Sequence, residues 1–455
     1  MRETVRQNPR FFLFSSLAAL GLRLIFLFRF PSVTADSLIY AEIARNWLQH
    51  GIYGITTAQG IVPTCIRLPG YPAFLATVFS CFGMENYRAV LGLQVIFDLA
   101  TCFLIADMAR RMISVRAAKA AFLLSGLCPF LADYAAAALT ETLEIFFTVL
   151  ALDLAVAGMK ALPAGRLRPW LGCGLSIGAA ILLRPDGGLL LVPVGVMLAV
   201  ILVRAVRTPA SAPSAGRVLQ AGLIVVLAAI APLVPWTLRN ERTLHRFQPL
   251  APRYANEESE FVPAGYNRWV KTWMADYVSV EEIYWGVPGE KMDMEKFPAR
   301  AFDSEVQRQQ TAQLLADYNL VLHITPALDA GFAELAAARV QAHPWRYYVF
   351  LPLLRVADMW LRPRTELLPS DTRWWEFDDD PKWSALAVAF GVTGLFYFGA
   401  ALAGLFRAKL SGALLSLLIF MIVRSVFLGT LENPEPRYTL ECYPVLLWFA
   451  SCLFR

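Results

Sequence analysis

The sequence predicts an all-α polytopic membrane protein: about ten transmembrane helices (10-12), interfacial helices beside them, and a mainly helical outer-side loop region. Three observations carry this. Of the 455 residues, 57% are hydrophobic and only 17% charged, respectively above and below ordinary globular usage. Apolar runs long enough to cross a bilayer recur along the chain. The basic residues also segregate: loops 109–119, 159–169, 203–218 and 406–410, with both termini, hold 16 of the 41 Lys and Arg and, as acidic residue, only Glu3. Basic residues are retained on the cytoplasmic side, so these loops and the N-terminus are expected there.

In chain order, Arg2, Arg6 and Arg10 lead into a first span at 11–30. It exceeds a signal-peptide core, and no small-x-small site precedes Asp36, so it is read as retained. Further spans are expected at 88–108, 117–133, 139–158, 169–183, 186–206, 217–238, 383–406, 411–429 and 438–454. Loops 31–87, 134–138, 184–186, 239–382 and 430–437 then face outward. The organisation that follows is an N-terminal transmembrane module 1–238 with the active site on its first outer loop 31–87, an outer-side helical region 239–382, and C-terminal transmembrane helices 383–455. Stretch 70–83 is short for a bilayer core. Stretch 345–361 is interrupted by Arg346, Arg355 and Asp358. Both are read as interfacial or re-entrant, and sequence leaves open whether either spans.

Residues 37–49 read as an amphipathic surface helix: Tyr40, Ile43, Ala44, Trp47 and Leu48 share one face, and Gly51 is placed as its C′ residue. Segment 208–216 reads as a flexible cytoplasmic connection. Helical patterning at 302–324 and 327–342 accounts for most of the outer region, and Asp378-Asp379-Asp380 reads as a solvated face. No P-loop, dinucleotide fingerprint or HExxH is present. The histidines lack metal spacing, and the seven cysteines form no ligand pattern. The net charge of +5 is modest, and no nucleic-acid partner is expected.

Chemistry-bearing residues gather on the outer loops. Asp36 reads either as the N-cap of the surface helix or as a general base acting on an acceptor hydroxyl. Glu141, in Leu139-Thr-Glu-Thr-Leu143, is an ionisable group at a membrane boundary and therefore a functional candidate. Glu144, one turn deeper, faces a cavity or pairs with Arg184. Arg67, boxed in by Pro63, Pro69 and Pro72, joins Arg184, Arg239 and Arg437 as candidate phosphate contacts, because a guanidinium fork bonds two oxygens and stays charged. A lone arginine at a membrane edge otherwise snorkels, and Arg184-Pro-Asp-Gly187 is also a turn pattern.

The order Asp36, Tyr40-Ala-Glu-Ile-Ala-Arg45, Gly51-Ile-Tyr53 and Arg67-Leu-Pro-Gly-Tyr-Pro72 resembles the first outer loop of the GT-C superfamily of membrane glycosyltransferases. The nearest likeness is to glycosyltransferase family 39, the dolichyl-phosphate-mannose protein mannosyltransferases and aminoarabinose transferases. Leu183-Arg-Pro-Asp-Gly187, Pro235-Trp-Thr-Leu-Arg-Asn240 and Pro436-Arg-Tyr438 extend it. The resemblance implies a GT-C-like fold, Asp36 as the catalytic acid/base centre, and Glu141 shaping the same pocket or helping Asp36 hold a divalent cation (Mg or Mn). It implies donor-phosphate contacts at Arg67 and Arg437, with Arg239 a weaker third, while Arg184 stays a candidate from its residue type and place alone. The chain departs from protein mannosyltransferases at Ser37, where they often carry Glu.

Residues and resemblance together read as an inverting glycosyltransferase in the cytoplasmic (inner) membrane with its catalytic side facing outward. Its partners are a polyprenyl-phosphate sugar donor, the lipid bilayer and an envelope acceptor (lipid, glycan or protein). The alternative is a transporter or flippase of a lipid-linked or anionic substrate, for which repeated halves and midplane charges would be expected. Sugar, acceptor, metal dependence and oligomeric state are left open.

Overall fold

The computed structural model describes residues 1–208, 213–257, 260–377, 380–409 and 411–455. Part of the expected 208–216 connection, and Asp378 and Asp379 of the acidic run, lie outside the described residues. Two compact units are formed, one of Met1–Glu257, Phe396–Met421 and Leu440–Arg455, the other of Glu258–Leu395 and Ile422–Thr439.

Among the described residues, seven helices are long and apolar enough to cross a membrane: Pro9–Arg29, Tyr87–Met112, Glu141–Ala164, Pro185–Arg207, Ala215–Leu244, Pro381–Arg407 and Gly412–Gly429. The pair Val115–Gly126 and Pro129–Ala135, bent by 53°, is long and apolar enough only when taken together, as a broken span or a re-entrant loop. The bend falls where Pro129 opens the second helix, since proline has no N–H for the ladder. The other two expected spans are shorter pieces. Arg168–Leu183 is a 16-residue apolar helix, and 438–454 begins as the 3-10 turn Pro436–Cys442 before the buried helix Tyr443–Ser451. The surface helix forms as Ala35–His50, and stretch 70–83 forms the helix Gly70–Phe82.

The first unit is tied together by Arg23, fully buried on the first span. Its Nε donates to Asp98 Oδ2 at 2.6 Å, and its Nη atoms donate to the carbonyls of Ala19 (3.1 Å), Ser125 (3.2 Å) and Gly126. One guanidinium thus joins Pro9–Arg29 to Tyr87–Met112 and Val115–Gly126. A buried charge is tolerated only when paired and hydrogen-bonded in this way. Elsewhere in this unit, Gly174 and Gly178 let Arg168–Leu183 approach the backbone at Val225 and Ala229. Small residues allow such close contact between helices in lipid.

The second unit has an aromatic core of Tyr266, Trp269, Trp273, Phe297 and Phe332. Around it lie Ala264–Lys271, Glu305–Val321 and Pro326–Ala342, the last two at the places the patterning indicated. Arg339, 1% exposed, donates to Thr272 Oγ1 at 2.8 Å and to the Arg300 carbonyl at 2.9 Å, and pairs with Asp303 at 3.3 Å.

Replacing Asp98 by Ala strands the Arg23 charge in the bundle. The expected cost is about 3–5 kcal/mol, read as a lower thermal midpoint of the purified protein in detergent. The double replacement Arg23→Met with Asp98→Leu should recover most of it. A single variant as stable as wild type would contradict the pairing.

Candidate active site

Asp36 enters the site because other residues cap its helix. The Thr34 amide donates to Ser37 Oγ at 3.0 Å and the two hydroxyls lie 3.2 Å apart, a reciprocal cap of the kind that satisfies a helix start. Asp36 therefore lies inside the first turn, not at the N-cap position, which Thr34 occupies. Its Oδ1 accepts a bond from Arg67 Nη2 at 2.8 Å. The helix ends at Gly51 with φ 70°, the left-handed C′ conformation that glycine adopts at least cost.

Arg67 is delivered by a return of the chain. Strands Gly54–Thr57 and Gly60–Pro63 pair antiparallel, and residues 64–69 then run back under the surface helix. Ile66 and Leu68 are buried on either side of Arg67, and Tyr53 donates its phenol to the Arg67 carbonyl at 2.9 Å. At Gly70, a Cβ would lie 2.5 Å from the Leu182 carbonyl oxygen. Only glycine lets this loop rest on Arg168–Leu183.

A polar framework fixes the loop to the mouth of the next spans. Ser32 donates to the Ala136 carbonyl and accepts from the Ala138 amide, both at 2.9 Å. Gln94 Nε2 donates to the Ala137 carbonyl at 2.6 Å, and its Oε1 accepts from the Tyr71 phenol at 2.7 Å. The bridge leads on one side to Asp36 and on the other to Glu141.

Glu141, 3% exposed, heads an acidic cluster around Arg184. Arg184 Nη1 lies 3.8 Å from Glu141 Oε1, and its Nε lies 3.3 Å from both Glu144 Oε2 and Asp186 Oδ1. Glu441 adds a fourth carboxylate. Burial opposes the charge on Arg184, but Asp186, Glu144, Glu141 and Glu441 outweigh it and raise its pKa further. Arg184 is thus the counter-ion of a strongly negative group. Tyr40 stands between this cluster and the Asp36–Arg67 pair: the Arg67 guanidinium lies 5.5 Å from its ring centroid, a cation–π distance. Burial pushes the Tyr40 phenol up to about 12, with smaller influences from Arg67, Asp36, Arg184 and Glu141.

The four arginines therefore take separate places. Arg239 braces the loop: Nη1 donates to Thr64 O (2.7 Å) and Asn240 Oδ1 (2.9 Å), Nη2 donates to Tyr53 O (2.6 Å), and its guanidinium lies 5.2 and 5.4 Å from the Tyr53 and Trp236 rings. Arg437 belongs to the second unit, where it pairs with Glu435 at 2.6 Å. A cavity of about 380 Å³ adjoins Arg239, lined among others by Trp47, Tyr53, Pro63, Pro69 and Trp236. Through the Tyr53–Arg67 bond this groove touches the Asp36–Arg67 loop.

For a divalent cation, the structure offers Glu144, Asp186 and Glu441, one oxygen of each lying within 4.8 Å of the others. Hard carboxylate oxygens suit Mg or Mn. Asp36 and Glu141, the pair implied as ligands by resemblance, are not in this trio. Glu441 and Tyr40 escaped the sequence reading. An acid inside the apolar stretch 438–454 was a legible signal for the first, and the helical i, i+4 relation to Asp36 for the second.

A family profile for the dolichyl-phosphate-mannose-protein mannosyltransferases matches residues 67–236. No curated protein matches the sequence. Among solved structures, the oligosaccharyltransferase AglB of Archaeoglobus fulgidus, tethered to an acceptor peptide with the NVT sequon, is similar at TM-score 0.54 and 12% identity, over 98% of this chain and 49% of that one. AglB with an inhibitory peptide and a dolichol-phosphate is similar at TM-score 0.51 and 13% identity, over 97% and 49%. ArnT of Cupriavidus metallidurans in its apo state gives 0.44 and 16%, over 99% and 78%. The chain spans about half the length of the oligosaccharyltransferase it matches. It shares its fold with that oligosaccharyltransferase, and its residues 67–236 are similar to the mannosyltransferase family.

The Gly70→Ala variant tests the placement of the loop. A methyl facing the Leu182 carbonyl is expected to cost about 1–3 kcal/mol, as overpacking does, and to lower the thermal midpoint. Substitution without effect would show that the loop does not rest on that helix.

Proposed function

We propose that the chain is an inverting glycosyltransferase that moves a sugar from a polyprenyl-phosphate donor to a lipid, glycan or protein acceptor. It would act at the outer face of the cytoplasmic (inner) membrane, with its N-terminus and basic loops on the cytoplasmic side. The observation that carries this reading is the Asp36–Arg67 pair, a reachable carboxylate beside a guanidinium at the end of a membrane span. The pair sits on a fold shared with a protein solved with dolichol-phosphate.

Asp36 accepts the acceptor hydroxyl's proton as that oxygen attacks the anomeric carbon. Attack opposite the leaving phosphate inverts the centre. Arg67 spends one Nη hydrogen on Asp36, and its other Nη donors would serve the phosphate oxygens, whose charge grows in the transition state; its Nε is buried and takes no part. The groove lined by Trp47, Tyr53, Pro63 and Pro69 gives the prenyl chain an apolar bed beside Arg67. Anchoring the chain there keeps the anomeric carbon close to the base. Arg239 holds the wall of that groove, and Arg184 keeps the acidic cluster folded. Arg437 remains a proposed phosphate contact. A divalent cation held by Glu144, Asp186 and Glu441 would supply further positive charge near the site.

Release of polyprenyl phosphate from polyprenyl-phosphate sugars by the purified protein, with a membrane acceptor, tests this. Asp36→Asn is expected to slow release by about 10² or more, the share of a general base. Equal rates in both proteins, or no release from any donor, would remove the assignment. In Mn²⁺ titrations followed by electron paramagnetic resonance, Glu441→Gln should weaken binding by more than about 100-fold, beyond the ~10–100-fold that loss of a ligand-supporting residue costs, while Asp36→Asn leaves it unchanged. The reverse pattern would move the cation to Asp36.

A further inference from the structure

At the other end of the first span lies a second pocket, of about 460 Å³, lined by Phe11, Arg116, Lys119, Ala120, Leu123, Leu124, Phe454 and Arg455. Three basic side chains line it, and among the described residues no acidic side chain does. Arg116 and Lys119 stand in the first two turns of Val115–Gly126, where the helix dipole adds positive potential. Lys119 Nζ lies 5.4 Å from the Phe11 ring centroid, and Ser114 Oγ donates to the Phe454 carbonyl at 3.5 Å, closing one edge. Leu123 and Phe454 are 40% and 52% exposed.

We propose that this pocket binds an anionic phospholipid, its phosphate held by Arg116, Lys119 and Arg455 and its acyl chains lying along Phe11, Leu123 and Phe454. Charge complementarity selects the headgroup, since a basic pocket among membrane helices attracts anionic lipid at the cytoplasmic surface. The apolar half of the lining selects a lipid over a soluble anion, which would leave those side chains uncovered. The occupant is distinct from the donor lipid. Phe11 opens the first span and Asp36 follows its far end, and 21 residues of helix rise about 31 Å, so the two phosphates lie at opposite bilayer faces. The basic loops place this face with the leaflet rich in anionic lipid.

Native mass spectrometry of the delipidated full chain in detergent tests the pocket. Phosphatidylglycerol and phosphatidylcholine with the same acyl chains are compared, with inorganic phosphate as a third arm followed by thermal shift. Wild type should retain phosphatidylglycerol over phosphatidylcholine. The double variant Arg116→Gln, Lys119→Gln should bind phosphatidylglycerol about 30-fold more weakly, the effect of two surface cations. The charge-keeping variant Arg116→Lys, Lys119→Arg should restore retention, which separates lost charge from lost folding. Equal retention of both lipids, or undiminished binding by the glutamine variant, overturns the proposal. Stabilisation by inorganic phosphate equal to that by lipid overturns it too, because the pocket would then hold a soluble anion.

Discussion

Backbone at a membrane boundary has little water to bond, so its polar groups must find partners inside the protein. The bridge between Ser32 and residues 136 to 138 meets that demand, with Gln94 satisfying the Ala137 carbonyl between its two bonds. Everything in the candidate site hangs from it. The surface helix starts just beyond Ser32 and the acidic span just beyond Ala138, so one patch of backbone pairing determines where Asp36 and Glu141 stand. Tyr71, bonded to Gln94, brings the returning end of the loop to the same place.

Four similar arginines end in different situations because their neighbours differ. Arg184 meets carboxylates in excess and serves as their counter-ion. Arg239 gives its hydrogen bonds to two carbonyls and an amide oxygen, so its fork is spent on holding the loop. Arg67 meets a single carboxylate and keeps donors in reserve. A guanidinium's role follows from how many acceptors surround it, and spacing in the sequence does not report that number.

The membrane character, the span sequence and the surface helix were legible because burial in lipid writes itself as apolar runs and 3.6-residue periodicity. Gly51 was legible through its backbone demand. The cap was not, because Thr34, Asp36 and Ser37 are all capable of it, and only the bonds between Thr34 and Ser37 show which residues took the task. The bent pair after Leu127 was hidden inside one apolar stretch, and Pro129 was its only mark. Glu441 carried a signal of its own as an acid in an apolar stretch, but its grouping with Glu144 and Asp186 was hidden, because those segments converge only on folding.

Arg23 makes the first span unable to move by itself. Bound to Asp98 and to carbonyls on the following hairpin, Pro9–Arg29 cannot change its inclination in the bilayer without carrying its neighbours along. A membrane thinner or thicker than the span must therefore deform, or the whole bundle must lean. Either response changes the height of the Asp36 carboxylate relative to the plane of lipid phosphates. Bilayer thickness thereby becomes a physical variable of this protein, as much a determinant of where the Asp36–Arg67 pair stands as any side chain beside it.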